Sequence, residues 1–521
     1  MTMTPSLIIF AAAYLLYWAA TTRYDTQMFQ QNSYRPERWR RWWLSTGEWA
    51  SRSQLLSLSS AAIFAFTWHP ALLYAYAAWA AVFAWAEFSM RYKIRLVYTM
   101  RIKRLLATRT LLTAAAIALT ASYAPHWALS VAMLLTMQGW VVVFDLINRP
   151  VERAVTRWYY NDARRILRSM PGLTIIGITG SFGKTSTKHF LHRILSEKYN
   201  VLMTPGNYNT TLGVVRTIRE QLKPYHNVFI VEMGAKQRGD IREICELVHP
   251  SIGIVTSVGE MHLETFGSVE NVARTKFELI ESLPAGGLGV VNIDSEAAAR
   301  YGCRTAADML TYSVDNPEAD YRAGDIGYSA GETTFSVTTP DERRDGFMTH
   351  ILGSGNILNI TAALAVADRL GIPVAKQRTA VAQIRQIEHR LSIRRSGGIT
   401  ILDDAYNSNP AGARMALDVL SRFAAEGRRI VVTPGFVEMG ARQYDNNREL
   451  GRHIAMSGCD MAYIVNEVNR QAITEGLREC SFPEERIHVV ATFAEASARL
   501  AATMRTGDVV LYENDLPDSF K

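Results

Sequence analysis

Residues 173–188, LTIIGITGSFGKTSTK, set a glycine-bearing loop between an apolar run and an amphipathic helical stretch. The run 173–178 reads as a buried strand, and Gly180 and Gly183 frame the turn before Lys184-Thr185-Ser186. Glycines let backbone N–H groups close around a phosphate, and a helix N-terminus behind them favours negative charge. Lys184 would neutralise the β- and γ-phosphates, and the Thr185 or Ser186 hydroxyl would offer Mg²⁺ an oxygen. The spacing departs from GxxxxGK[ST], because Ile178 stands five before Gly183 and the earlier glycine is Gly177. Strand, loop, Lys-Thr and helix still follow in the order of a phosphate loop.

Other polar residues follow strand-like runs where packing alone does not require them. Glu232 ends Val228-Phe-Ile-Val-Glu, His262 and Glu264 come after the run 252–258, and Lys276 sits in Ala273-Arg-Thr-Lys-Phe-Glu278. Open α/β sheets bind ligands outside the carboxyl ends of their strands, so these groups are expected to converge on the phosphate loop. A carboxylate and an imidazole there can complete a Mg²⁺ shell that is otherwise phosphate and water.

The elements that must carry them alternate between strand and helix. Apolar runs at 227–233, 252–258, 288–293, 399–402, 430–433, 461–465 and 509–512 read as strands of largely parallel sheets. Helical stretches at 185–196, 356–370 and 411–425 lie between them. The pattern gives an α/β class in two domains, 171–380 and 381–521, with a hinge near 373–389.

The first 150 residues are different. Residues 1–170 hold 19 Lys/Arg against 7 Asp/Glu, and the remainder 37 against 42. The basic balance therefore belongs to the N-terminal part and argues against a nucleic-acid partner. Three uncharged apolar stretches, 6–22, 53–86 and 110–144, suit one membrane helix and two helical hairpins, turning at Trp68-His69-Pro70 and Ala124-Pro125-His126. The reading is a membrane region over 1–150 with about five spans, then a juxtamembrane linker over 151–170. Arg-rich segments at 23–52, 91–109 and 149–168 would then all lie on the cytoplasmic side. Arg38-Trp-Arg-Arg-Trp-Trp43 has the composition of an interfacial anchor. Cys245, Cys303, Cys459 and Cys480 form no CxxC pair, so neither a zinc ribbon nor a disulfide framework is indicated.

Taken in order, Thr179-Gly-Ser-Phe-Gly-Lys-Thr185, Thr204-Pro-Gly-Asn-Tyr-Asn209, Val231-Glu-Met-Gly234, Met261-His-Leu-Glu264, Ala273-Arg-Thr-Lys276, Asn292-Ile-Asp294, His389-Arg-Leu391 and Asp403-Asp-Ala-Tyr-Asn-Ser-Asn-Pro410 resemble the Mur ligase family. Within it the D-alanyl-D-alanine-adding branch is most similar, over about residues 171–521. The resemblance implies a P-loop central domain and a Rossmann-like C-terminal domain. The implied reaction joins an amine to a carboxylate using ATP and Mg²⁺, through an acyl phosphate. Gly180, Ser181, Gly183, Lys184, Thr185 and Ser186 would hold the phosphates. Thr185, Glu232 and His262 would hold Mg²⁺, and Lys276 matches a lysine that is carbamylated in many members. Lys184, Glu232, His262 and Lys276 are thereby the expected catalytic set. Asn292, Asn356, Arg390 and Asp404 match nucleotide-contacting positions.

Three departures stand out. A membrane region replaces the family's domain for the uridine nucleotide. Gly353-Ser-Gly-Asn-Ile-Leu-Asn359 lacks the histidine usual before its first Asn. Leu511-Tyr-Glu-Asn-Asp-Leu-Pro-Asp518 is acidic where the family has a Lys-Gly-Ser-type segment. The expectation is a multi-pass ligase of a bacterial-type inner membrane with cytoplasmic catalytic domains. It would act on a lipid-linked or envelope-polymer acceptor with an amino acid or small peptide as the amine. Rival readings are a poly-γ-glutamate-type synthetase, a membrane transport ATPase and an inactive scaffold; retention of Lys184, Glu232, His262 and Lys276 together argues against the last.

Overall fold

The computed structural model describes residues 4–90, 92, 95–260, 263–329, 332–405, 409–423, 426–437 and 439–515. The chain divides into two compact units, with the boundary between Arg157 and Trp158.

The first unit is helical: α1 (Pro5–Gln31), α2 (Pro36–Ser45), α3 (Arg52–Phe64), α4 (Pro70–Ser89), α5 (Met100–Tyr123), α6 (Ala128–Leu134) and the start of α7 (Trp140–Arg168). The two turns fall where the sequence placed them. His69 caps α4, its side chain accepting the Ala71 N–H, and Thr99 caps α5 by accepting from Ile102. Among the described residues three helices, α1, α4 and α5, are long and apolar enough to cross a membrane. The other two expected spans, α3 and α6, have 13 and 7 residues, about 20 and 10 Å of rise against a ~30 Å hydrocarbon layer. The two segments are tied by polar groups: the Ser57 and Thr136 hydroxyls pair and Gln54 Oε1 accepts the Gln138 N–H, all four residues being buried. The five-span expectation thus stands at three helices of spanning length. Residues 151–168, expected as a linker, continue α7. Ala163 on that helix is fully buried in the core of the second unit.

The second unit holds two sheets. The first comprises β1 (Thr174–Thr179), β2 (Val201–Met203), β3 (Val228–Glu232), β4 (Ile252–Val255), β5 (Leu288–Asn292), β6 (Asp308–Ser313), β7 (Tyr321–Ser329), β8 (Glu332–Thr338) and β9 (Arg343–Thr349), in the order β2-β3-β1-β4-β5-β6-β7-β8-β9. Pairing is parallel from β2 through β7 and antiparallel for β7–β8 and β8–β9. That antiparallel extension was not anticipated, because its strands alternate polar and apolar residues and bury one face. The helices between are α8 (Lys184–Leu195), α9 (Thr211–Glu220), α10 (Asp240–Val248), α11 (Leu263–Phe266), α12 (Val269–Glu281), α13 (Glu296–Ala299), α14 (Ser354–Arg369) and α15 (Val374–Ala382). Their apolar faces make two cores, one on each side of the sheet; Ile176 and Ile178 face one, Ile175 and Val231 the other.

The second sheet is β10 (Ser392–Ser396), β11 (Ile399–Asp404), β12 (Arg429–Thr433), β13 (Met461–Val465), β14 (Ile487–Val490) and β15 (Val509–Glu513), in the order β10-β11-β15-β12-β13-β14. All its pairs are parallel except β10–β11. Helices α16 (Pro410–Arg422), α17 (Gln443–Met456), α18 (Arg470–Glu479) and α19 (Phe493–Thr503) cover it. Both sheets are parallel at their centres with helices between successive strands, the α/β architecture read from the sequence.

Candidate active site

Strand β1 lies between β3 and β4, where the chain switches from one side of the sheet to the other. Such a point opens a crevice at the strands' carboxyl ends, and the phosphate loop leaves β1 there. Gly180 and Gly183 have φ of +153° and +82°. A Cβ on Gly180 would sit 2.0 Å from Thr256 Oγ1, and one on Gly183 2.6 Å from Asn359 Oδ1. Only glycine fits this cradle. The loop is pinned from behind β4: the Phe182 N–H donates to Ser257 Oγ at 2.9 Å, and Ser181 N–H to the Ser257 carbonyl at 2.9 Å.

Lys184 opens α8 and turns its ammonium back over the loop, donating to the Gly180 and Ser181 carbonyls at 2.7 and 3.2 Å. Burial pulls its pKa down to about 8, against the attraction of Glu232. The Thr185 hydroxyl lies 3.2 and 3.1 Å from the two oxygens of Glu232. That carboxylate, 2% exposed, is also bound by Lys188 Nζ at 2.9 Å and by the Asn209 amide at 3.2 Å. Burial works to raise the Glu232 carboxyl, but Lys188 and Lys184 outweigh it and hold it below its ordinary value. Lys276 on α12 is buried, and its ammonium has no hydrogen-bond partner among the described residues. Burial, aided by the charge of Lys184, lowers it to about 7.

The residues present suit a nucleotide with Mg²⁺. The glycine cradle excludes any side chain at positions 180 and 183, while Thr185 and Glu232 present hard oxygen donors. Among the described residues no three His, Cys, Asp or Glu cluster as a metal cage. Phosphate and water would supply the rest of a Mg²⁺ shell.

Next to the loop, Ser186, Asn356 and Arg390 line one narrow crevice with Phe190, Ile387 and Leu391. Three expected nucleotide contacts therefore come together there. Asp404 accepts the Leu391 N–H at 3.0 Å. Burial pushes its carboxyl up to about 6, opposed by Arg390. Arg390 is set between His389 and Leu391, which have φ of +58° and +50°. Asn292 does not join the group: its amide donates to the Thr256 carbonyl at 2.7 Å and accepts the Asp294 N–H at 2.9 Å. His262 lies outside the described residues, as do Met261, residues 406–408 of the 403–410 motif and residues 516–518 of the acidic C-terminal run. Glu513 in that run is buried at the end of β15.

Sequence reasoning missed Lys188, Thr256 and Ser257, and named Asn209 and Asn359 only as ends of motifs. Lys188 had a signal, since it follows Lys184 by four residues and shares its helix face. The Asn359, Thr256 and Ser257 contacts depend on chain crossings that spacing does not reveal.

A phosphate loop at a sheet switch point, with a buried lysine–carboxylate pair beside it, defines a nucleotide-using α/β enzyme. The sequence profile of the Mur ligase middle domain matches residues 178–367, and that of the Mur ligase glutamate ligase domain residues 389–512. The UDP-N-acetylmuramoyl-tripeptide–D-alanyl-D-alanine ligase of Mycobacterium bovis is 32% identical over 359 residues, covering 65% of this chain and 70% of the relative. The Bacillus subtilis enzyme of that name is 27% identical, covering 66% and 73%. Among solved structures, MurF ligase from Thermotoga maritima in complex with ADP superposes with a TM-score of 0.60 at 27% identity, covering 69% of this chain and 80% of that one. The chain belongs to the Mur ligase family and is an ATP-dependent, amide-forming ligase of the peptidoglycan-synthesis type.

Proposed function

We propose that the chain is a membrane-anchored Mur-type ligase whose catalytic unit faces the cytoplasm and whose acceptor is a lipid-linked cell-envelope precursor. The observation that carries the membrane part is the distribution of side chains in the helical unit. Ile8, Leu15, Leu55, Val82, Trp85, Leu111 and Leu119 are exposed, while Asp25, Arg109 and Glu87 are buried. That is the reverse of a water-facing surface and suits hydrocarbon. The helices also alternate in direction. Phe10 meets Phe64 while Tyr17 meets Ser53, so α3 opposes α1; Phe10 meets Tyr76 while Tyr17 meets Phe83, so α4 follows α1. Asp25 meets Arg109 and Tyr34 meets Arg101, so α5 opposes α1 again. Alternation supports a five-pass path in which α3 and α6 reach only part-way through.

ATP with Mg²⁺ would supply the phosphoryl group that activates an acceptor carboxylate as an acyl phosphate, which the amine of an amino acid or short peptide then attacks. Lys184 and the loop N–H groups would hold the phosphates in line, and Thr185 with Glu232 would orient the metal. His262 would complete that set. Asn356 and Arg390, with Asp404 behind them, would bind the nucleoside. Lys276, buried and with its pKa near neutrality, has the free amine that carbamylation needs.

Activity of full-length protein and a 158–521 fragment, both in detergent micelles, tests the acceptor. The fragment is expected to keep its activity on a water-soluble mimic of the acceptor's reactive end and to lose most of it on the lipid-linked acceptor. Equal use of the lipid-linked acceptor by both would end the proposal, as would a periplasmic signal from a reporter fused after Arg168.

A further inference from the structure

Lys188 is fully buried on α8, one turn beyond Lys184. Its ammonium is 2.9 Å from Glu232 Oε2 and donates to the Gly206 carbonyl at 2.7 Å. Gly206 belongs to the 204–209 loop, which grips the same acidic residue twice more. The Thr204 hydroxyl accepts the Glu232 N–H at 3.1 Å, and the Asn209 amide donates to Glu232 Oε1 at 3.2 Å. Each carboxylate oxygen thus already has a donor from the chain, leaving the edge near the Thr185 hydroxyl for anything else.

From this arrangement we infer that Lys188 is a positioning residue that makes the metal site depend on nucleotide. The inference rests on reading Glu232 as the metal-facing carboxylate. In the resting protein the negative charge of Glu232 is matched at contact distance by the Lys188 ammonium, with Lys184 one turn away. A divalent cation arriving alone meets a carboxylate already neutralised and two ammonium groups. A polyphosphate brings enough negative charge to reverse that balance, so the metal enters with the nucleotide. Lys188 meanwhile fixes the carboxylate against the 204–209 loop, so that Glu232 keeps one orientation through the cycle.

The test is Mn²⁺ binding by full-length protein without nucleotide, followed by electron paramagnetic resonance. Wild-type protein is expected to bind Mn²⁺ weakly, and Lys188→Met at least about tenfold more tightly, since a like charge at contact commonly shifts a charged equilibrium by 1–3 log units. Lys188→Arg retains the charge and should bind as weakly as wild type. Lys188→Met combined with Glu232→Gln should lose the gain, which locates the metal. In MgATP turnover Lys188→Met should lower both kcat and the Mg²⁺ concentration for half-maximal rate; a structural defect would not lower the second. Nucleotide-free Mn²⁺ affinity unchanged or weakened in folded Lys188→Met overturns the inference. If that variant fails to fold, wild type decides: tight nucleotide-free Mn²⁺ binding that Glu232→Gln abolishes overturns it equally. Binding of a fluorescent ADP analogue, measured separately, reports on the phosphate loop. Its failure would sink the nucleotide reading while the nucleotide-free metal comparison still stands.

Discussion

The two units bury charge for opposite purposes. In the helical unit Arg109 and Asp25 are each 1% exposed and meet at 2.9 Å, joining α5 to α1. In the α/β unit Lys188 and Glu232 are equally buried and meet at the same distance, but beside a cradle built for an anion. Geometry alone does not separate these pairs; their surroundings do. In the helical unit the hydroxyls of Thr22, Thr26 and Thr113, one Asp25 carboxylate oxygen and two Arg109 guanidinium nitrogens are buried without partners among the described residues. Around Glu232 every oxygen is spoken for, and the glycine loop opens alongside. A buried ion pair becomes a site only when the backbone next to it leaves room.

Replacing one member of the helical pair should produce the largest stability loss. Arg109→Ala leaves Asp25 unpaired and is expected to cost about 3–5 kcal/mol, read as a lowered unfolding midpoint in detergent. Arg109→Leu with Asp25→Leu should recover most of that loss, because an apolar pair needs no partner. Full recovery with normal activity would confirm the pair as structural only.

On the catalytic side, Lys184→Ala should leave the melting temperature almost unchanged and cut substrate-stimulated ATP turnover by about 10²–10³. Wild-type turnover would remove the loop from the chemistry and erase the contrast between the units.

A finer probe is protonation. Lys184 in the free protein is held near pH 8, so above that it is increasingly neutral. A bound polyphosphate favours the ammonium and raises its pKa, so nucleotide binding should take up a proton at pH 8–9 and almost none at pH 6.5. Calorimetry in buffers of different ionisation enthalpy measures this uptake, and Lys184→Met should abolish it. The sign for stability follows: because the folded pKa is below the unfolded one, this lysine favours folding increasingly as pH rises from about 8 towards the unfolded value.

The smallest effect belongs to the surface. Glu296 on α13 and Arg300 just after it pair while both stay largely exposed, and a double-mutant cycle there should give no more than about 0.5 kcal/mol. A larger coupling would mean that exposure is a poor guide to which pairs matter.

Much of the catalytic unit was legible in the sequence because its signals are local. Buried parallel strands are continuous apolar runs, and all seven expected ones appear, with ends shifted by no more than a few residues. The phosphate loop announces itself within sixteen residues. The strands β6–β9 were not legible, since half-exposed antiparallel strands such as Arg343–Thr349 carry charged residues on their open face. The helical unit misled by its averages. Uncharged stretches suggested hairpins with two full arms, but α3 and α6 have only 13 and 7 residues. Counting only the charge-free stretches also hid Asp25 and Arg109, which lie inside helices longer than those stretches. The Asn292 amide shows a further limit: its position matches a nucleotide contact, while it also bonds the chain at Thr256 and Asp294.

The glycine cradle also constrains how this sequence can drift. Gly180 is held by two separate conditions, a backbone angle that side chains avoid and a Thr256 hydroxyl occupying the space a methyl would need. Shrinking Thr256 to glycine would still leave the Ser257 backbone nitrogen 2.9 Å from such a methyl, and the angle as well, so no single neighbouring change opens position 180. Gly183 is locked the same way, by its angle and by Asn359. Deep mutational scanning should therefore find these two positions intolerant even in backgrounds with Thr256 or Asn359 already replaced, while Phe182 between them admits substitution. A lineage carrying this loop can change what surrounds the glycines without gaining any new freedom at them.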